Sequence, residues 1–246
     1  TVQVLRSASE WSAGLKKTEN SILNAYCKLI EHAQHYVYIE NQFFISKTFT
    51  DEEIKNSPQE MENIVENQIV YHLRKRIEKA FENKENFKVY IFIPLLPGFS
   101  GCPKESPTIQ KILKHTYETI CRNHGFSLIE KLKEKMGDQW SKYIYFFSLR
   151  NHAIINGVPK TELIYIHSKL MIIDDRTVLI GSANLNDRSM TGYRDSEFAV
   201  IVQEEQIIQS IMNGQSYLGA NFAISLRKNL MAEHLGIAPS DMILDD

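Results

Sequence analysis

Residues 162–202 constrain the fold of this chain most, because they predict three β-strands in succession. In the first strand the side chains alternate between two faces, and one face carries Leu163, Tyr165, His167, Lys169 and Met171. Asp174, Asp175 and Arg176 then predict a tight turn, with residues 177–180 as the returning strand. A third apolar run covers residues 198–202. We therefore expect a β-sheet whose polar side chains are concentrated along one segment.

The polar residues of this segment make phosphate-ester transfer one reasonable hypothesis. His167 and Lys169 lie two positions apart, about 7 Å along a strand. Burying an imidazole and an ammonium together costs free energy unless an anion such as a phosphate lies between them. Ser182 and Asn184 follow Gly181 and add neutral donors, and Glu197 adds a carboxylate before the third strand. Taken alone, these residues also fit a structural hairpin with a polar face.

The order of these residues resembles the HxKxxxxD signature of the phospholipase D superfamily. The signature is formed by His167, Lys169 and Asp174, and GSAN follows at 181–184. Further stretches resemble the second catalytic half of eukaryotic phospholipases D that hydrolyse phosphatidylcholine and carry PX and PH domains upstream. They are VQVLRS at 2–7, WSAG at 11–14, YIENQFF at 38–44, PLLPGF at 94–99 and NDRS at 186–189. The resemblance covers nearly the whole chain.

This resemblance implies both a fold and a reaction. The fold is an α/β/α lobe with a central mixed sheet flanked by helices, which agrees with the alternation of predicted strands and helices. The reaction is a two-step displacement in which one histidine forms a phosphohistidine while the other protonates the departing alcohol and later activates water. The first-half histidine is usually the nucleophile, so His167 is expected to act as general acid and then as base. The products would be phosphatidate and choline, with transphosphatidylation as a related activity.

The resemblance also implies roles for the other polar residues. Lys169 would neutralise charge that grows on the phosphoryl oxygens, with Ser182 and Asn184 as preorganised donors. Glu197 would hold the catalytic imidazole in its working tautomer, the role that a triad aspartate plays.

Two groups of residues have less direct roles. Asp174 belongs to the signature, but it lies on the opposite strand face from His167 and at a turn, so we expect it to make structural hydrogen bonds or salt bridges. Three residues at a strand end are expected to approach the site as substrate-binding residues: Glu40, Asn41 and Gln42. No metal or other cofactor is implied, because the histidines are scattered and Lys169 already supplies positive charge.

The chain has one HxKxxxxD motif, whereas the mechanism uses two. None of the other histidines is followed by a lysine two positions later. These other histidines are His32, His35, His72, His115, His124, His152 and His234. Together with the absence of methionine at position 1, this favours a fragment: one lobe over residues 1–246, preceded in the complete enzyme by the first catalytic half and lipid-binding domains. One alternative is a homodimeric single-motif phosphodiesterase or nuclease with a twofold site. Another is a non-catalytic lobe that binds lipid.

Composition bears on location and partners. The 28 basic and 30 acidic residues give a net charge of −2, which offers no global electrostatic basis for nucleic-acid binding. The three cysteines show neither metal-ligand spacing nor a disulfide framework, which suits a reducing compartment. With the resemblance, these features predict a cytoplasmic enzyme that is peripheral on intracellular membranes. Its expected partners are a phosphatidylcholine membrane surface, the N-terminal catalytic half and, as a further candidate, a phosphoinositide activator.

The rest of the chain predicts alternating elements. Strands are predicted over 2–6, 36–44, 88–96 and 143–149, helices over 21–34, 107–122, 127–136, 204–212 and 217–235, and a loop over 151–160. The capping box SPQE at 57–60 predicts the start of a long helix whose apolar stripe ends at Phe81. Its opposite face carries a charge run, including Arg74 and Arg76, that we expect to be solvated.

Overall fold

The computed structural model describes residues 1–55 and 65–237 as an alternation of strands and helices. The strands are β1 Val2–Ala8, β2 Glu19–Asn20, β3 Tyr36–Asn41, β4 Lys88–Phe92, β5 Ile144–Phe147, β6 Leu149–Ile155, β7 Val158–Ile164, β8 Lys169–Ile173, β9 Thr177–Gly181, β10 Glu197–Val202, β11 Ile207–Met212 and β12 Gln215–Ala220. The helices are α1 Glu10–Ala13, α2 Ser21–His32, α3 Asp51–Lys55, α4 Ile69–Glu82, α5 Pro107–Ile120, α6 Leu128–Met136, α7 Asp187–Met190 and α8 Asn221–Leu235.

Eight strands form one mixed sheet in the order β2-β1-β10-β9-β8-β3-β4-β5. Strands β3, β4 and β5 run parallel to one another. Strand β8 is antiparallel to β3, and β9, β10, β1 and β2 continue the antiparallel pairing outward. The expected mixed sheet is confirmed.

Helices cover both faces of this sheet. Val37 and Ile39 of β3 pack with Met171 of β8 in a core to which α2, α4 and α6 contribute. Tyr38 of β3 and Ile172 of β8 point to the other face and pack in a core with α8. Burial of each such aliphatic side chain contributes about 1.5–3 kcal/mol. The predicted α/β/α lobe is therefore confirmed.

Four strand ends meet at one edge of the sheet, which we call the polar edge. Strand β3 ends where β8 begins, with Asn41 paired to Lys169. Strand β9 ends where β10 begins, with Gly181 paired to Ala199. Because these neighbours are antiparallel, the ends of β3 and β9 lie beside the starts of β8 and β10. The polar edge carries residues 40–42, 167–169, 182–184 and 197.

The stretch before β8 differs from the predicted strand. Strand β7 ends at Ile164, and residues 165–168 are irregular before β8 begins at Lys169. Strand β7 pairs with β6 in a separate two-stranded sheet. The prediction that His167 and Lys169 lie on one face of a continuous strand was wrong, because the chain passes from one sheet to another between residues 164 and 169.

Two exposed hairpins replace elements that were predicted differently. The loop expected over 151–160 is instead the β6–β7 hairpin, which turns at Asn156 and Gly157 with φ of 50° and 76°. Asn-Gly is the residue pair that such a two-residue turn favours. The helix expected over 204–212 is instead the β11–β12 hairpin, which turns at Asn213 and Gly214. Apolar residues at 207, 208, 211 and 212 fit a helix as well as a strand, so this short segment was ambiguous.

Helix α4 is shorter than the predicted long helix. The capping box at 57–60 and positions 61 and 64 lie outside the described residues. The helix begins at Ile69, because the carboxylate of Asp187 accepts hydrogen bonds from the backbone N–H groups of Glu66 (2.8 Å) and Asn67 (2.9 Å). These bonds hold residues 66 and 67 outside the helix. Within residues 1–55 and 65–237, none of the helices has the length and apolar character needed to cross a bilayer.

Two arginines of α4 are buried, contrary to the expected solvated face. Arg74 donates to Glu53 (2.8 Å), and Arg76 donates to the carbonyl oxygen of Ala33 (2.6 Å). A buried guanidinium needs such partners, and they come from segments distant in sequence. The charge run is therefore only partly a solvent-exposed face.

The remaining predicted elements are confirmed with altered bounds. Strands β1, β3, β4 and β5 and helices α2, α5 and α6 lie where they were expected. Helix α6 begins with the expected capping box between Ser127 and Glu130. Helix α8 begins at Asn221, four residues later than predicted, because Tyr217 to Ala220 complete β12.

Candidate active site

His167 lies in the loop at 165–168, which the chain on either side holds in place. Its side chain is exposed, and its ring lies 6.0 Å from the ring of Tyr165. On one side of His167, Ile166 is buried in the core; on the other, the hydroxyl of Ser168 donates to Glu40 (2.6 Å). Within the described part of the chain, the His167 imidazole makes no hydrogen bond or ion pair. An imidazole on an anchored loop with both ring nitrogens free is available for acid–base chemistry.

Lys169 is buried beside this loop. Its ammonium donates to the side-chain oxygen of Gln42 (2.8 Å) and to the carbonyl oxygen of His167 (2.6 Å). Burial lowers the pKa of Lys169, and the nearby charge of Glu197 acts in the opposite direction. Gln42 also donates to the hydroxyl of Tyr165 (2.7 Å). The positive charge and the loop that carries the imidazole are therefore joined directly, although the two residues do not share a strand face.

Glu197 is held by two serines rather than by His167. The hydroxyl of Ser182 donates to one carboxylate oxygen, and the hydroxyl of Ser189 donates to the other (2.5 Å). The predicted contact between Glu197 and His167 does not form in this chain, because the pairing of β9 with β10 puts Glu197 beside Ser182. The hydroxyl proton of Ser182 is therefore donated to Glu197 and is not free for a bound ligand. Sequence reasoning missed Ser189 as a site residue, although it lies in the NDRS stretch that carried part of the resemblance.

Close packing of the backbone brings Ser182 to Glu197. A Cβ at Gly181 would lie 2.3 Å from the carbonyl oxygen of Phe198, so only glycine permits this approach. The backbone N–H of Phe198 then donates to the hydroxyl of Ser182 (3.1 Å). The small residue that precedes the serine therefore determines the position of its side chain.

Asn184 has an unused polar atom at the polar edge. Its side-chain oxygen is buried and has no hydrogen-bond partner among residues 1–55 and 65–237. Such an atom costs free energy unless a ligand or water satisfies it. The amide can present either its oxygen or its nitrogen to a ligand, because the two ends are interchangeable by rotation. Asn184 thus fits the predicted role of a polar contact for a bound group.

The three residues at the end of β3 have different environments. Gln42 contacts Lys169, as described above. Asn41 is fully buried and accepts from the backbone N–H groups of Phe43 (3.1 Å) and Leu185 (3.0 Å), so it fastens β3 to the segment after β9. These bonds occupy the side-chain oxygen of Asn41 inside the core, and its expected contact with substrate stays a prediction.

Glu40 lies in a buried network below the loop. It accepts from Tyr38, from Ser168 and from the ring of His234 on α8 (3.0 Å). Burial raises the pKa of Glu40, but the hydrogen bonds from His234, Ser168 and Tyr38 outweigh it, and the pKa is lowered. The ring of His234 packs against Phe92 at 4.4 Å. Glu40 therefore supports the loop that carries His167, and its expected contact with substrate stays a prediction. His234 had no sequence signal because its partner is distant in the chain.

Asp174 lies at the opposite end of β8 from Lys169, about 16 Å away along the strand. Its carboxylate accepts from the backbone N–H groups of Gln34 (2.7 Å), His35 (2.7 Å) and Tyr36 (2.8 Å). This is the structural hydrogen bonding expected of it. The geometry excludes Asp174 from direct contact with a group bound at the polar edge.

A ligand at the polar edge could contact polar side chains and an adjoining apolar cavity. Among the described residues, no three His, Cys, Asp or Glu side chains are grouped as a metal ion would require. An apolar cavity of about 120 Å³ adjoins Gln42 and Tyr165, and most of its other walls come from the β4–α5 loop and α5. This geometry provides a cation, neutral polar groups and an exposed imidazole, which together suit a phosphate ester.

The sequence as a whole identifies the family. A profile described as phospholipase D matches residues 2–163 and 159–245. The chain belongs to the phospholipase D family, and the expected fold and family are confirmed together.

Named relatives cover nearly the whole chain. It is 48% identical over 240 residues to phospholipase D2 of Bos taurus, which covers 97% of this chain and 24% of the relative. It is 46% identical over 248 residues to phospholipase D1 of Homo sapiens, with 99% of this chain and 22% of the relative covered. The chain thus spans less than a quarter of the length of these relatives. Among solved structures it aligns with NucT from Helicobacter pylori at 13% identity and a TM-score of 0.45, over 96% of each chain; this similarity is too low to bear on function.

Proposed function

We propose that this chain is the C-terminal catalytic half of a phospholipase D that hydrolyses phosphatidylcholine to phosphatidate and choline. One observation carries the proposal: an exposed imidazole with no partner among residues 1–55 and 65–237 lies on a loop bonded to a buried ammonium. The names of its relatives, phospholipase D1 and D2, support the same substrate class. Transphosphatidylation would follow if an alcohol replaced water in the second step.

The proposed chemistry has two steps. In the first, a histidine of the other catalytic half attacks phosphorus, the bond from phosphorus to the choline oxygen breaks, and His167 gives its proton to that oxygen. In the second, water attacks phosphorus, His167 takes a proton from that water, and the bond between phosphorus and the nucleophilic histidine breaks. Lys169 stabilises the charge on the phosphoryl oxygens, and its burial strengthens this interaction because a buried charge is poorly screened. Asn184 supplies a neutral contact to the same oxygens.

The first catalytic half needs a place to dock, and the outer face of β1, β10 and β9 is the place we propose. Val4 pairs with Val200, and Val200 pairs with Ile180, so these side chains form an apolar row across three strands. Val4 is 59% exposed and Ile180 is 42% exposed. Ser182, which bonds Glu197, follows β9 two residues after Ile180, so a lobe packed on this face would bring its own histidine to the polar edge. The assembled enzyme would act from the cytoplasm on the surface of intracellular membranes, with a phosphoinositide as a candidate activator.

The first test separates the fragment from a self-sufficient enzyme. Choline release from phosphatidylcholine vesicles is measured for this chain alone and after co-expression with the first catalytic half of the same enzyme. We expect release only from the pair. Turnover by the isolated monomer contradicts the fragment reading, and turnover by a dimer of this chain supports a single-motif enzyme instead.

The second test assigns the role of His167. A general acid matters most when the leaving group is a poor one such as the choline alkoxide, and least when it is a stable phenolate. In the assembled enzyme, His167→Ala should therefore lower the rate on phosphatidylcholine by about 10²–10⁴-fold and reduce the rate on an aryl phosphodiester far less. Phosphate trapped covalently on His167 contradicts this role and makes His167 the nucleophile, with the reaction class unchanged.

A further inference from the structure

The β6–β7 hairpin is exposed on both of its faces. Every residue from Arg150 to Ile164 is exposed, so over this range neither face of the ribbon is buried against the described part of the chain. The side chains at its tip are nevertheless apolar: Ile154 is 77% exposed, Ile155 is 56% exposed and Val158 is 50% exposed. A group of apolar side chains this open to water marks an interaction surface.

The arrangement of these residues distinguishes between occupants. Ile155 pairs with Val158, and Ile154 pairs with Pro159. Neighbouring residues of a strand point to opposite faces, so the first pair makes one face of the tip apolar and the second pair makes the other face apolar. A flat protein surface covers one face of such a ribbon, whereas a lipid bilayer surrounds an inserted tip on all sides. The two-sided apolar tip therefore favours a bilayer.

The β11–β12 hairpin provides a contrast within the same chain. It also has a two-residue turn, but exposed and half-buried residues alternate along β11, with Ile207 and Ile211 exposed and Ile208 half-buried. One face of this hairpin is thus packed, as in an ordinary surface element. Apolar exposure on both faces is not a general property of hairpins in this molecule.

Charge and length also match a membrane interface. Lys160 lies next to the apolar pairs and His152 one position further, and Arg150 and Glu162 lie nearer the base. The apolar tip extends about 10 Å beyond Lys160, which matches the depth of about 5–10 Å that interfacial segments reach. At that depth the lysine would lie at the headgroups, where long cationic side chains extend from apolar surroundings into water.

We propose that the hairpin tip, defined by Ile154, Ile155, Val158 and Pro159, inserts into the boundary between headgroups and acyl chains of a phospholipid bilayer. This inference rests on the proposed function in one respect, since it supplies the surface by which the enzyme would reach a lipid substrate. Strand β7 ends three residues before His167, so an inserted tip anchors the loop that carries the imidazole close to the membrane.

The test is sedimentation of this chain with vesicles of phosphatidylcholine, and of phosphatidylcholine mixed with phosphatidylserine. Variants Ile154→Glu and Ile155→Glu are compared with Ile211→Glu, a matched control because Ile211 is 74% exposed at the other hairpin. We expect each tip variant to bind vesicles about 10- to 100-fold more weakly, because burying one such side chain is worth about 1.5–3 kcal/mol. The control should bind like the unmodified chain.

A second measurement separates insertion from adsorption to the surface. In an Ile155→Trp variant, lipids brominated on the acyl chain should quench the fluorescence of the new tryptophan on vesicle binding. Failure of the unmodified chain to bind vesicles overturns the proposal, and so does absence of quenching. A loss of vesicle binding in Ile211→Glu equal to that in the tip variants overturns it as well. Unchanged vesicle binding by the tip variants, together with lost self-association or lost binding to the first catalytic half, assigns the tip to a protein partner and also overturns it. Vesicle binding needs no catalysis, so normal binding without choline release by the assembled enzyme counts against the proposed function alone.

Discussion

Asp174 offers the sharpest test of how a signature residue can act outside the site. Its carboxylate accepts three backbone hydrogen bonds, at 2.7, 2.7 and 2.8 Å, from the segment that leads from α2 into β3. Asp174 is also buried and has φ of 54°, a left-handed conformation that aspartate and asparagine tolerate better than alanine. Removing the side chain should therefore destabilise the fold and leave no catalytic group missing.

The magnitude follows from these contacts. Hydrogen bonds to a charged acceptor contribute about 1.5–3 kcal/mol each, and bonds that share one carboxylate do not add fully. With the added strain of alanine at positive φ, Asp174→Ala should lower the free energy of unfolding by about 3–5 kcal/mol, and Asp174→Asn by about 1.5–3 kcal/mol, since asparagine keeps one acceptor and the backbone conformation. Such losses are a large share of the roughly 5–15 kcal/mol that stabilises a domain.

Urea unfolding at pH 7, followed by circular dichroism, measures these values. Asp195→Asn is the matched control, because its ion pair with Arg188 is exposed and should be worth less than about 1 kcal/mol. An Asp174→Ala chain within about 1 kcal/mol of the unmodified one would refute the reasoning. So would an Asp174→Asn enzyme that is fully stable but inactive, because Asp174 would then act in catalysis.

Two further predictions concern carboxylates near the candidate site. In the assembled enzyme Glu197→Gln should leave unfolding nearly unchanged but reduce turnover by about 10²-fold, because Ser182 and Ser189 lose the carboxylate that positions them. Loss of this charge should lower the pKa of Lys169 further and move the alkaline limb of the pH–rate profile to lower pH. An unchanged profile would contradict an electrostatic interaction between Glu197 and Lys169. The lowered pKa of Glu40 contributes stability above the ordinary glutamate pKa, and this contribution is lost as the pH falls through the folded-state value. Unfolding energies of Glu40→Gln should therefore depend less on pH below about 4.5 than those of the unmodified chain, and parallel curves would contradict the network with His234.

Local signals in the sequence were most reliable where short-range chemistry decides the structure. The turn at Asp174 and Asp175 and the capping box of α6 depend on a few adjacent residues, and both formed as expected. The Asn156-Gly157 turn carried an equally local signal, but the flanking strands lack the alternation of a half-buried sheet because both of their faces are exposed. Periodicity reports which side chains are buried, so it fails where nothing is buried.

By itself, the sequence determined the family, the mixed α/β lobe and the candidate chemistry of His167 and Lys169, because motif order and core patterning are properties of the chain. Only the tertiary structure decided which of the polar residues meet. Strand pairing puts Glu197 beside Ser182 rather than His167, and helix α8 brings His234 to Glu40 from almost two hundred residues away. Such contacts depend on the pairing of strands and the docking of helices, and a linear pattern of residue types does not contain that information.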